Sequence, residues 1–438
     1  MTTASPRSKR KIVLSLVGGI ASVAMLTACG PANTGTGDGA SEFTILHHQD
    51  ITIPGTPQLI QALADTECST EEAATPINFE LVDQTAVDTQ LTLLAGQDAL
   101  PVFFTAPGSK ELINDFAGDG QLLDIGATLE DLGVADQLNP AAVDVAKQLY
   151  GDTLYTIPFE FNIEGFWYNK QLFADNNIDV PTTWEELSDA AGKLESAGVL
   201  PFSAAGDQGW PITRLVSGYL FRDLGSDALQ KVADGDAKLT DPEYVAAAQA
   251  VADLGSEGYF GEGVTSVSYD ASIAQFLTGQ AGILYMGSWV LNNFNDEAQN
   301  QIGEDNIGFF PVPEVEGGAG SITETPANNG LMSSMSAKQY NAGIGDWLTC
   351  IADNYGNKAL SENGSISGFK ATEIPADLPS LTAMTQEAID ESTGGVLWFE
   401  ALFGQEATTV SQANGTGLVT GNITPEAFMQ LVQESLDK

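Results

Sequence analysis

The sequence predicts an α/β fold in two lobes. Two observations carry that expectation. Short β-rich runs alternate with runs of helical apolar spacing, and the 438 residues exceed what a single core usually covers. Glu42-Phe-Thr-Ile-Leu-His-His48 is the first β-rich run, and Pro57 to Ala64 follows with the spacing of an amphipathic helix. Asn78 to Val82 reads as a second strand and Ala86 to Leu94 as a helix. Ala99 to Phe104 reads as a third strand, followed by Thr105-Ala-Pro-Gly108. Strand, helix, strand, helix, strand is the order of an open α/β sheet. Ligands of such sheets sit beyond the carboxyl ends of the strands. His48, Asp50 and Thr105, which follow strands one and three, are therefore binding candidates by position.

The first residues have a different character. Arg7, Lys9, Arg10 and Lys11 precede an apolar run from Ile12 to Met25, and Leu26-Thr-Ala-Cys-Gly30 closes it. A basic start, a short apolar core and small residues at its end make an export signal. The run is shorter than the roughly 20 residues a membrane-spanning helix needs, and no later segment is long and apolar enough to span. The Leu-Thr-Ala-Cys-Gly ending resembles the lipobox of bacterial lipoproteins. That resemblance implies a signal peptide over 1–28, acylation of Cys29, and a location on the outer face of the cell membrane, held by the lipid anchor alone. Residues 29–41 carry four glycines and no periodicity, and read as a flexible tether with a reach of about 20 Å. Cleavage leaves 410 of the 438 residues, enough for two lobes.

Charge narrows the partners. The four basic residues of the leader depart with it, so 12 of the 16 Lys and Arg remain against 59 Asp and Glu, and the net charge moves from −43 to −47. Such a surface repels nucleic acid and anionic lipid. Only Arg214 and Arg222 remain among the arginines, which speaks against phosphate or sulfate as substrate. Beyond Cys29 stand Cys68 and Cys350, an even pair for an oxidising compartment, with a disulfide and two buried thiols both open. His47 and His48 are the only histidines, and neighbours on an extended segment point to opposite faces. Neither they nor any cysteine spacing implies a metal, and no cofactor is expected.

Tyr155-Thr-Ile-Pro-Phe-Glu-Phe-Asn-Ile-Glu-Gly-Phe-Trp-Tyr-Asn-Lys170 leads on to Pro181-Thr-Thr-Trp-Glu-Glu-Leu187 and Gly198-Val-Leu-Pro-Phe202. Phe276-Leu-Thr-Gly-Gln-Ala-Gly282, Met286-Gly-Ser-Trp289, Ile307-Gly-Phe-Phe-Pro-Val-Pro313 and a C-terminal helix start at Thr424-Pro-Glu426 follow in order. The set resembles the family 1 extracellular solute-binding proteins, the maltose-binding-like receptors of ABC importers, over essentially the whole mature chain. It implies a two-lobed periplasmic-binding-protein fold with three hinge crossings, near Phe161–Asn162, Ala327–Gly330 and Lys370–Ile374. The first lobe would hold 42–161 and 328–372, and the second 162–327 and 373–438. By the same resemblance Cys68 and Cys350 fall in helices of the first lobe.

Local physics explains part of the pattern without ligand. Thr183 is an N-cap with Glu186 completing a capping box, and Trp184, Trp167 and Trp347 read as core. Tyr168-Asn169-Lys170 reads as the end of a strand and a turn. Trp210, Trp289 and Trp398 differ, because each stands beside glycines that bring the backbone close and leave a ring accessible. In the family, positions matching Trp289 and Trp398 stack on sugar rings. The position matching Asn162 is a polar contact there, and the maltose branch commonly carries a carboxylate at it. Asp207, in the loop before Trp210, and Asn328, at the second crossing, complete the candidates. The resemblance thus implies a monomeric, non-enzymatic receptor for a carbohydrate ligand, working with ABC permease subunits. Acidic residues with stacking rings also suit a peptide or polyamine, and paired carboxylates an exported glycoside hydrolase. Cys29→Ser should release the protein from membranes or block its processing. A variant that stays membrane-bound with the same processed mass would refute the lipoprotein reading.

Overall fold

A computed structural model describes residues 40–48, 55–82, 86–107, 110–376 and 378–437. The signal region, Cys29, the tether up to residue 39 and Asp50 lie outside the described residues. The described chain builds two sheets. The first has the order β2-β1-β3-β10-β4, from β1 (Phe43–His48), β2 (Ile77–Val82), β3 (Phe103–Thr105), β4 (Thr156–Ile157) and β10 (Ser333–Met335). The second has the order β11-β9-β5-β7-β6, from β5 (Asn162–Asn169), β6 (Leu200–Ser203), β7 (Ala281–Gly287), β9 (Glu324–Asn328) and β11 (Gly394–Val396). A further strand, β8 (Ile307–Phe310), also pairs with β5.

The chain therefore passes between lobes three times: from β4 to β5, from β9 to β10, and between Phe369, in the first core, and the helix Ser380–Asp390, whose Leu381 packs in the second lobe. β1, β2 and β3 are parallel, as the strand–helix alternation requires, with helices Thr56–Asp65 and Val87–Ala95 as crossovers. β7 reads as a near-continuous apolar run and β1 is buried along nearly its whole length, because both faces of each are covered. The first core is an aromatic chain through Phe43, Phe103, Phe159 and Tyr355, with successive ring centroids 6.0, 5.2 and 4.8 Å apart.

Three local readings change. β3 begins at Phe103 rather than Ala99: Pro101 has no N–H to give a ladder, and the Val102 amide donates to Thr44 Oγ1 at 3.0 Å. Asn169 ends β5 but opens a helix, Lys170–Asp175, instead of a turn. Its side chain accepts from the Leu172 amide at 3.1 Å, which is an N-cap bond. Cys68 stands at the N-cap of the helix Ser69–Ala74 rather than within a helix. It is bonded to Cys350 of the helix Ala342–Asn363, with the Cα atoms 5.8 Å apart.

The capping box at Thr183 is complete, with the Glu186 amide donating to Thr183 Oγ1 and Glu186 Oε2 accepting from the Thr183 amide, both at 3.2 Å. It aims Trp184 into the second core, where the ring meets Tyr219 edge-on at 5.1 Å. Trp184→Ala should cost about 3–5 kcal/mol in denaturant unfolding. A loss below about 1 kcal/mol would mean the site collapses around the missing ring and the packing argument is wrong.

Candidate functional site

β5 runs antiparallel to both β7 and β9, while β11 runs parallel to β9. The amino end of β5 and the carboxyl ends of β7, β9 and β11 therefore meet at one sheet edge, where the chain also crosses to the other lobe. Three tryptophans emerge around that edge. Trp289 sits in the single 3₁₀ turn Ser288–Val290 directly after β7, Trp398 follows β11, and Trp210 opens the helix Trp210–Leu224. Glycine is required beside two of them. Gly209 has φ +72° and lies against the Gln412 carbonyl, and a Cβ at Gly287 would run into the Trp289 ring.

The Trp210 and Trp289 centroids are 6.1 Å apart, and Tyr269 lies 6.5 Å from Trp210. The Trp210 indole N–H donates to Gln208 Oε1 at 2.7 Å, and the Trp289 side chain hydrogen-bonds the Tyr269 hydroxyl. All three tryptophans remain half-buried. Arg214, one turn beyond Trp210, sets its guanidinium 5.6 Å from the Trp210 ring centre and 4.8 Å from that of Trp398. Its Nη1 donates to Glu164 Oε1 at 2.9 Å. Glu164, the third residue of β5, is 1% exposed, and it also accepts from Asn328 Nδ2 at 3.1 Å and the Tyr285 hydroxyl at 3.4 Å. A buried carboxylate needs such company. Burial, reinforced by the Glu164 carboxylate, holds Tyr285 well above its ordinary value, so it stays a donor. Asn162 pairs in register with Asn328, and the Ser288 hydroxyl donates to Asn162 Oδ1 at 3.2 Å.

Between the lobes lies a cleft of about 790 Å³, mouth included. Asn162, Ser288 and Trp289 line one wall, and Thr56, Glu160 and Tyr355 the other. Among the described residues no group of three or more His, Cys, Asp or Glu side chains is placed to hold a metal ion.

The structure brings together Asn162, Trp210, Trp289, Asn328 and Trp398 of the sequence candidates. His48 and Thr105 form a buried pair at the ends of β1 and β3, with the His48 amide and Nδ1 both 3.3 Å from Thr105 Oγ1. Neither is among the described residues lining the cleft; of the grouped candidates Asn162 and Trp289 line it, and Trp210, Asn328 and Trp398 stand beside them outside the lining. The two histidine rings do not part to opposite faces; their centroids are 4.3 Å apart. Asp207 is exposed and borders a separate groove beside Gln412 and Asn414. Sequence reasoning passed over Glu164, Arg214 and Tyr269. Two signals were there to find: Arg214 falls four residues after Trp210, on the same helix face, and Glu164 is the single charge in an otherwise uncharged strand.

Two lobes joined by three passages around a cleft define a hinged binding protein. Residues 54–353 match the bacterial extracellular solute-binding protein family, and the chain belongs to it. It is similar to the osmoprotective compounds-binding protein of Synechocystis, 29% identical over 210 residues, covering 46% of this chain and 47% of that one. It is also similar to the alpha-glucosides-binding periplasmic protein of Rhizobium meliloti, 24% identical over 326 residues, covering 66% and 68% of the two chains. A solved chitin oligosaccharide binding protein superposes with a TM-score of 0.72 at 25% identity, covering 91% of this chain and 99% of that one. The chain spans less than half the length of several curated relatives it matches. Among the described residues no helix is long and apolar enough to cross a membrane.

Burial pushes the Tyr269 hydroxyl from 10.0 up to about 12, outweighing the Trp289 hydrogen bond, which lowers it. The fold thus stabilises the neutral form. That contribution is complete below pH 10 and is lost as pH rises through about 12. Tyr269→Phe should melt with a shallower pH dependence than the parent across that window. Parallel curves would show that Tyr269 ionises as freely in the fold as in the unfolded chain.

Proposed function

We propose that this protein is a lipid-anchored extracellular receptor that captures a sugar or oligosaccharide in the interlobe cleft and hands it to an ABC permease. The observation that carries the reading is the group of Trp210, Trp289 and Trp398 at the crossing edge, rimmed by Asn162, Ser288 and Asn328. A pyranose presents an apolar C–H face and a rim of hydroxyls. Ring faces suit the first, and amides and hydroxyls that both donate and accept suit the second. The family is one of binding proteins, and two of the similar proteins bind alpha-glucosides and chitin oligosaccharide by name.

The mechanism is closure about the three crossings, with 42–161 and 328–372 as one lobe and 162–327 and 373–438 as the other. A ligand touching Trp289 and Asn162 on one wall and Thr56, Glu160 and Tyr355 on the other makes its full set of contacts only in the closed form. Binding therefore shifts the hinge equilibrium toward closure. No bond is made or broken, so the protein acts as a carrier and not as an enzyme. Acylated Cys29 keeps it beside its permease.

A thermal-shift screen against neutral mono- and oligosaccharides tests this reading. A ligand at about a hundred times its dissociation constant stabilises by about 2.7 kcal/mol. With the responding sugar, Trp289→Ala and Trp398→Ala should each weaken binding by about 1–3 kcal/mol. Normal sugar affinity in both variants would defeat the site assignment.

A further inference from the structure

Aromatic rings gathered in a protein of net charge −43 would ordinarily draw a cation. Ring faces attract ammonium and guanidinium groups, and an acidic surface concentrates them. Here the place is already filled from within. The Arg214 guanidinium lies 5.6 Å from the Trp210 ring centre and 4.8 Å from that of Trp398, within cation–π reach of both. Its charge is answered by Glu164 at 2.9 Å, beneath the aromatic group and 1% exposed. The pair is close to neutral, so it offers a carboxylate ligand no net attraction. Arg214 is also underused. Of the five N–H donors of a guanidinium, Nη1 is the one committed to Glu164, and Nε is buried with no partner. The 14% of the side chain that stays exposed is where a ligand's acceptors can meet the guanidinium.

We propose that Arg214 determines the ligand class of the aromatic site at the crossing edge, where Trp289 joins it to the cleft. As a built-in cation between Trp210 and Trp398 it bars polyamines and quaternary ammonium compounds, and it directs the site to uncharged ligands rich in hydroxyl acceptors. The second half rests on the sugar-receptor reading; the first half does not. The arrangement also explains how a strongly acidic receptor with half-buried rings avoids trapping the cations its own surface gathers.

The test uses the purified exported protein with choline and spermidine as cation probes and the neutral saccharide panel as the other arm, read by thermal shift and titration calorimetry. The parent should ignore both cations at millimolar concentration. Arg214→Met, which keeps a long side chain between the rings, should acquire choline binding and lose about ten- to a hundredfold in affinity for the responding sugar. That variant leaves Glu164 buried without its ion pair, so Arg214→Met/Glu164→Gln is measured beside it. The double variant removes the stranded charge and should still gain choline through the rings alone. A parent that binds choline or spermidine overturns the proposal. So does a folded variant of either kind that still ignores both cations. If no saccharide binds the parent while the variants gain choline, the sugar reading fails and the barrier role of Arg214 stands.

Discussion

The pairing of β5 with β9, with Asn162 opposite Asn328, is the constraint around which the molecule is arranged. It places two of the three passages between lobes side by side, so the junction is narrow and the strand ends beside it become the floor of the cleft. Two residues into β5 the sheet is already deep enough to bury Glu164. A carboxylate at that depth holds its charge only with partners, and each partner comes from a different element: Arg214 from the helix after β6, Asn328 from the second passage, Tyr285 from β7. Removing one partner from such a network costs about 3–5 kcal/mol, because the remaining charge is left buried. The aromatic group is mounted on that network, since Arg214 touches both Trp210 and Trp398.

The first-lobe wall is held by different means. Thr56 opens one helix and Tyr355 lies on another, their hydroxyls 3.5 Å apart. The Cys68–Cys350 bridge ties the chain just beyond the first helix to the second. Restricting the unfolded chain through so long a loop stabilises by a few kcal/mol in the entropic account. Within the fold, the bridge keeps the two elements of the wall in fixed relation. The helix Pro140–Tyr150 completes the frame from outside. Ala142 accepts from Asn329 at the second passage, and Gln148 donates to the Gly395 carbonyl of β11 at 2.9 Å. A helix that lies between β3 and β4 in the chain thus braces the strand that presents Trp398.

What the sequence made legible was whatever local pattern decides. The alternation from Phe43 to Phe104, the capping box at Thr183 and the glycines flanking Trp210 and Trp289 are short-range signals, and each led to the right element. Asn162 and the three tryptophans were singled out by family spacing and glycine context, and the fold groups them at one sheet edge. Glu164 and Arg214 were missed because their meaning lies in a contact 50 positions apart, which no periodicity reports. His48 and Thr105 were chosen by the rule of strand ends. That rule put them at the correct edge of the first sheet, but it says nothing of whether a side chain faces the cleft or a neighbour. Each of these two bonds the other.

The two arginines among the described residues show what their scarcity means. Arg222 is fully buried, and its planar fork donates to the carbonyls of Val312, Ser321 and Ile322. Burial draws it down to about 10, which still leaves it charged at neutral pH. Arg214 uses the same planarity to lie against two indoles while reaching a carboxylate. A lysine ammonium is a point donor with a stronger hold on its water, and it can do neither job as well. Against an acidic surface carrying lysines wherever a plain positive charge suffices, arginine persists at the two places in the second lobe where the geometry of the fork is needed. One of those places ties a loop to the core, and the other holds the aromatic group against a buried carboxylate.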